Sequence, residues 1–245
     1  MIILHDYKLI FLKPRKVAGT SLEIALSKFS NNDKDIITQL HKIDENIRKD
    51  LNFSAPKNFR YTIKDIHTAN FLLSLKTFFK KFNFPIKFKN HNSARYIKEN
   101  LTDTIWNTYK RISIVRNPYD YLISYYFWKI RKEETKKESF RHYEFVEWCY
   151  KNLKVINRNY SQYFINGEDI IDYYIRFENF ENDLINLENE TKLNGLYSIF
   201  LTLNAKSGYK PKKINYDKFF FNNELNELIY EKNLKIFNKF NYKKI

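Results

Sequence analysis

Short apolar runs alternate along this chain with longer stretches in which apolar residues recur every three or four positions, and this alternation predicts its elements. Residues 7–12 (YKLIFL) are short, apolar and β-prone, residues 13–19 form a punctuated loop, and residues 21–29 place Leu22, Ala25, Leu26 and Phe29 at helical spacing. A second strand, loop and helix starts at Tyr109. Ile112, Ile114 and Val115 read as a buried strand, Asn117 as an N-cap with Pro118 at the first helical position, and residues 122–130 as an apolar helix. A third strand is expected over residues 170–177 (IIDYYIRF), with a helix from Asn179 that includes Leu184 and Leu187. Strands alternating with helices predict an α/β fold with a parallel sheet. Residues 31–90 are polar, interrupted by Pro56 and Pro85, and read as helices and loops, while residues 223–240 read as one amphipathic helix.

Composition narrows the class. The 245 residues are 43% hydrophobic and 18% aromatic, enough for one large domain with a real core, so residues 1–245 are read as a single domain. The longest apolar runs, Leu9 to Leu12 and Phe71 to Leu73, fall far short of the roughly 18 residues of a membrane span, so no transmembrane segment is expected. His5, Asp6 and Lys8 interrupt the first apolar run, which argues against a signal peptide. A single cysteine, Cys149, excludes an internal disulfide and fits a reducing compartment, so the cytoplasm is expected. The formal charge of +15, from 43 Lys and Arg against 28 Asp and Glu, favours anionic partners. Abundant Lys, Asn, Ile, Phe and Tyr with only four Gly and five Pro is also what an AT-rich coding sequence produces, and that accounts for part of the charge.

Two constellations carry chemistry. Pro14-Arg15-Lys16-Val17-Ala18-Gly19-Thr20-Ser21 lies between a strand and a helix, where backbone N–H groups and the helix dipole make an anion site. Lys16 adds a cation, and Thr20 and Ser21 add hydroxyls. It is not a magnesium-dependent nucleotide loop of the GxxxxGK[ST] type, since the earlier glycine and the lysine after Gly19 are both absent. The same residues also fit a plain strand-to-helix turn in which Thr20 caps the helix and Glu23 closes a T-x-x-E box. The second constellation is Ser113-Ile114-Val115-Arg116-Asn117-Pro118-Tyr119-Asp120 followed by Ser124. A strand end delivers Arg116 and the helix after it delivers Ser124, so a guanidinium fork and a hydroxyl can meet on one phosphate.

Lys16 to Ser21 resembles the 5′-phosphosulfate-binding loop of carbohydrate sulfotransferases that use 3′-phosphoadenosine 5′-phosphosulfate (PAPS), especially those related to heparan sulfate 2-O-sulfotransferase. Arg116-Asn117-Pro118 with Ser124 is similar to that family's 3′-phosphate element. Tyr174-Ile175-Arg176-Phe177-Glu178-Asn179-Phe180 with Asp183-Leu184 resembles its strand-to-helix junction, and Leu203 to Tyr209 its late loop over the nucleotide. The match runs from about residue 8 to residue 217 and is weakest over 31–88. It implies a P-loop-NTPase-like three-layer fold with a central parallel sheet, PAPS as donor, and a hydroxyl of a carbohydrate, in keeping with the charge an anionic one, as acceptor. It further implies that Arg15, Lys16, Val17, Ala18, Gly19, Thr20, Ser21, Arg116, Ser124, Lys206 and Tyr209 bind the donor. Tyr121 stands where relatives commonly carry an arginine, so an ion pair on the helix surface is expected to be missing.

Sulfuryl transfer needs in-line placement and charge stabilisation, for which Lys16 at the leaving oxygen is the candidate. No cluster at metal-ligand spacing is seen, so no metal is expected. His91, 25 residues before Arg116, lies close to where the 2-O-sulfating relatives carry a catalytic histidine, and its ordinary pKa suits a base. Glu23 is the rival base. His67 and His142 have no motif behind them. Residues 31–90 are the candidate acceptor lining. A magnesium-dependent small-molecule kinase, a basic nucleic-acid-binding protein and an inactive binding module are the alternatives, and the resemblance speaks for no nucleic-acid partner.

Overall fold

The structure, a computed structural model, describes residues 1–62, 65, 84–133, 142–203 and 216–245. Its central sheet is built from five strands: β1 (Ile2–Leu4), β2 (Leu9–Leu12), β3 (Ile36–Ile37), β4 (Lys110–Val115) and β7 (Tyr173–Arg176), in the order β3-β1-β2-β4-β7. A separate two-stranded ribbon joins β5 (Phe164–Ile165) to β6 (Glu168–Asp169). β2, β4 and β7 pair in parallel, β1 is antiparallel to both neighbours, and so four of the five main strands run the same way. The strand expected at residue 7 starts at Leu9. A turn that holds Lys8 at φ 45° folds the chain back onto β1.

Strand periodicity sorts the core into layers. Ile2, Leu4, Leu9, Phe11, Ile112, Ile114 and Ile175 face one side, where α1 (Gly19–Ser27), α2 (Lys42–Asp50), α9 (Phe180–Thr191) and α10 (Leu196–Thr202) lie. Met1, Ile3, Ile10, Leu12 and Val115 face the other, against α3 (Ala94–Glu99), α4 (Asp103–Thr108) and α8 (Tyr160–Tyr163). Both faces of β1 and β2 are covered, so these strands are apolar throughout rather than alternating. The three layers expected of the fold are therefore present. Beside them, α5 (Pro118–Glu133), α6 (His142–Lys151), α7 (Leu153–Ile156), α11 (Tyr216–Phe219), α12 (Asn223–Lys232) and α13 (Leu234–Phe240) enclose an aromatic core around Tyr119, Tyr126, Phe145 and Phe237.

The single C-terminal helix expected from the pattern is two helices. Asn233 breaks it: its side-chain amide donates to the Ile229 carbonyl at 2.9 Å and the Ile156 carbonyl at 3.2 Å, and its backbone leaves the helical region. This is the local competition that Asn offers a helix. Tyr121 is also not at the surface, as its expected missing ion pair would require, but 4% exposed inside the aromatic core. Among the described residues no helix is long and apolar enough to cross a membrane.

Candidate active site

Parallel pairing puts the ends of β2, β4 and β7 on one edge, with Leu12 opposite Ser113 and Val115 opposite Arg176. The segments that leave these three ends therefore meet: the 13–19 loop, Arg116, and Phe177. The loop carries two residues in the left-handed region, Lys16 at φ 59° and Ala18 at φ 60°, which turns successive amides toward one side. Val17 anchors it in the core, and Gly19 begins α1 where a Cβ would stand 3.0 Å from Lys13 Cγ. α1 opens on Gly19, Thr20 and Ser21, so its positive dipole end faces the loop. Ala18, not Thr20, occupies the N-cap position and no side chain caps the helix. The T-x-x-E box does not form, because Glu23 turns inward.

Arg116 ties the two constellations together. Its Nη1 donates to the Lys16 carbonyl at 3.0 Å, its Nη2 lies 3.7 Å from Asp120, and its guanidinium stacks 4.0 Å from the Phe177 ring centroid. It is 8% exposed, and its Nε is buried with no partner among the described residues. Burial pushes its pKa down, while Asp120 and then Glu178 pull it back up. Asn117 caps α5 as expected, its side-chain oxygen accepting from Tyr119 N at 2.9 Å. Ser124 is half-buried one turn before Trp128 on the same helix face, and Lys16 Nζ sits 5.4 Å above the Trp128 ring. Lys16 and Ser124 thus address the same side of α5.

His91 packs against the start of the loop. It lines a cavity of about 360 Å³ with Arg15, Gln39, Phe59, Lys89 and Asn90, so part of the 31–90 segment forms its wall. His91 Nδ1 lies 3.0 Å from the Lys13 carbonyl. A carbonyl can only accept, so Nδ1 carries the proton and Nε2 the lone pair. Burial, then the Lys13 and Arg15 cations, push the His91 pKa down to about 3, which keeps the ring neutral. Glu23, the rival base, is 0% exposed and paired with Lys13 at 2.8 Å, Arg48 at 3.7 Å and the Met1 α-amino group at 2.9 Å. Burial raises its pKa and these cations, Lys13 foremost, lower it further, to about 2. A carboxylate so enclosed and so weakly basic is poorly placed to meet an acceptor.

The model of the family described as "Sulfotransferase family" matches residues 1–244. The chain belongs to the sulfotransferase family. No curated protein and no solved structure matches it. Membership makes it a transferase of sulfuryl groups to a hydroxyl-bearing acceptor, which sets aside the kinase and nucleic-acid-binding alternatives.

The sulfotransferase holds its loop with residues that carry no motif. Asn159 accepts from Arg15 N and donates to the Arg15 carbonyl, both at 2.9 Å, clamping one loop residue from 144 positions away. Gln162 donates to the His91 carbonyl at 3.4 Å. Arg158 donates to Tyr125 Oη at 3.0 Å, and after burial its charge is the main influence lowering the Arg15 pKa. None of these stands out from the polar run around it; only the fold reveals them. Lys206, Tyr209 and His67 lie outside the described residues, and His142 opens α6.

Proposed function

We propose that this sulfotransferase moves a sulfuryl group from PAPS to a carbohydrate hydroxyl, in line and without a metal, in the manner of the heparan sulfate 2-O-sulfotransferase relatives. The observation that carries the reading is the Arg116–Lys16 bond. In support of it, the Arg116 guanidinium, with a buried Nε in want of an acceptor, lies against a loop whose amides and helix dipole suit a second anionic group. Two anion sites in contact fit a nucleotide with phosphates at both ends of its ribose. When bound, PAPS supplies an activated sulfuryl group on a good leaving group.

The remaining chemistry belongs to the protein. Arg116 and Ser124 hold the 3′ end; Arg15 to Ser21 cradle the 5′ end; Lys16 offsets negative charge where the leaving oxygen departs. His91 receives the acceptor's proton at Nε2, the nitrogen that its bond to Lys13 leaves available. Its depressed pKa keeps it unprotonated at neutrality but makes it a weak resting base, so it acts in the transition state rather than by prior deprotonation. Arg15 and Lys89 on the cavity wall favour an anionic carbohydrate. Lys206 and Tyr209 are proposed to bind the nucleotide as well, and the buried, lone Cys149 is in keeping with a cytoplasmic setting.

The test is calorimetric binding of 3′-phosphoadenosine 5′-phosphate in excess chelator, then transfer from 35S-labelled PAPS to a panel of neutral and acidic oligosaccharides. Micromolar binding without metal, and label in a sugar, support the proposal. Failure of the wild-type protein to bind the nucleotide refutes it.

A further inference from the structure

Beneath His91 lies a buried charged cluster that the chemistry above does not use. We propose that Glu23 is a positioning residue for His91, acting through Lys13; the proposal rests on the reading of His91 as the base. Lys13 grips two consecutive residues at once. Its carbonyl accepts from His91 Nδ1 at 3.0 Å, and its ammonium donates to Asn90 Oδ1 at 3.3 Å. The Lys13 side chain is 2% exposed, a position tolerable for a cation only beside a counter-charge, and Glu23 Oε2 supplies it at 2.8 Å.

Glu23 stands one turn into α1, whose first residues end the anion loop. One carboxylate therefore joins the helix of the donor loop to the segment carrying the base. Thr38 reinforces the joint: its hydroxyl lies 2.7 Å from Glu23 Oε1, 3.0 Å from Asn90 Oδ1 and 2.9 Å from the Met1 carbonyl, and its single proton serves one of the three at a time. Asn90 completes it by donating to the Gln39 carbonyl at 2.6 Å. Lys13, Arg48 and the Met1 α-amino group are all directed at Glu23, but Arg48 also holds Glu45 at 3.1 Å, so neutralising Glu23 leaves the buried Lys13 ammonium as the cation without its counter-charge. Lys13 then turns toward water in the cavity that Asn90 and His91 line, and the His91 ring loses its fixed acceptor.

The experiment is 15N NMR of the full chain labelled at histidine, with the His91 signals assigned by their loss in His91→Gln. The wild type is expected to show one tautomer, protonated at Nδ1. Glu23→Gln is expected to show signals averaged between tautomers while its dissociation constant for 3′-phosphoadenosine 5′-phosphate stays within about two-fold of wild type, a result that general structural damage would not give. If Glu23→Gln does not fold, Glu23→Asp takes its place: its carboxylate, one methylene short of the Lys13 ammonium, weakens the same ion pair, and the same averaging is expected. A fixed Nδ1-protonated ring in the folded variant overturns the proposal. Full turnover in His91→Gln would instead refute the base assignment, and the tautomer measurement separates the two failures.

Discussion

His91 offers the sharpest test, because the structure predicts a base that stays neutral far into acid. Its groove is cationic: Lys13 and Arg15 face it from the loop and Lys89 from its own segment, the Met1 α-amino group, pushed down to about 5 by burial, adds charge as the pH falls, and Gln162 opposite is neutral. The native ring therefore titrates at about 3, against 6.5 in the unfolded chain. Between those values the unfolded state binds a proton that the native state lacks, so stability falls as pH falls. Each pH unit is worth ~1.4 kcal/mol, and the interval from 6.5 to 4.5 amounts to ~2.7 kcal/mol. Cavity water screens part of this, leaving ~2 kcal/mol. His91→Gln carries no such proton. Its melting temperature relative to wild type should therefore rise between pH 7.5 and pH 4.5 by ~4–8 °C, at ~2–4 °C per kcal/mol for a chain of this size. Differential scanning fluorimetry at the two pH values reads this directly, and titrations not coupled to His91 cancel in the difference. Glu23 contributes its own acid loss only below its ordinary 4.5, as pH falls toward about 2. An offset between variant and wild type that is the same at both pH values would show that the native ring protonates normally, and the account of the groove would fail.

Arg116→Ala should weaken binding of 3′-phosphoadenosine 5′-phosphate by ~2 kcal/mol, about 30-fold, by removing a charged hydrogen-bonding group; calorimetry reads it, and an unchanged affinity would move the 3′ phosphate elsewhere. Asn159→Ala leaves the Arg15 N–H and carbonyl without their 2.9 Å partners and should cost ~1–3 kcal/mol in chemical denaturation, with nucleotide affinity falling in parallel. Gly19→Ala sets a methyl 3.0 Å from Lys13 Cγ, a stem held by its ion pair to Glu23, so a loss of ~1–3 kcal/mol is expected; a neutral result would mean that the stem moves freely.

How legible a residue is in the sequence depends on the range of its interactions. Asn117 before Pro118 is legible because an N-cap needs only the two residues after it, and the loop before Ser21 because a strand, a turn and a helix lie within twenty residues. The meeting of that loop with Arg116 is legible one step less directly: parallel strands must deliver the residues after them to one edge, and the register makes the Arg116–Lys16 bond a consequence of topology. Glu23 misleads because its spacing from Thr20 satisfies a local capping pattern, whereas Lys13, and from outside the loop and helix Arg48 and the Met1 amino group, give it more as a buried anion than a cap would. Asn159 and Gln162 are invisible for the opposite reason: a side chain that clamps a backbone amide needs no particular neighbours in sequence. The residues that grip an anion are thus spaced by the helix and strand that carry them and leave a motif. Those that hold the grip in place are spaced by the tertiary fold and leave none, so single substitutions at Asn159, Gln162 or Glu23 should damage the site through geometry while its motif stays intact.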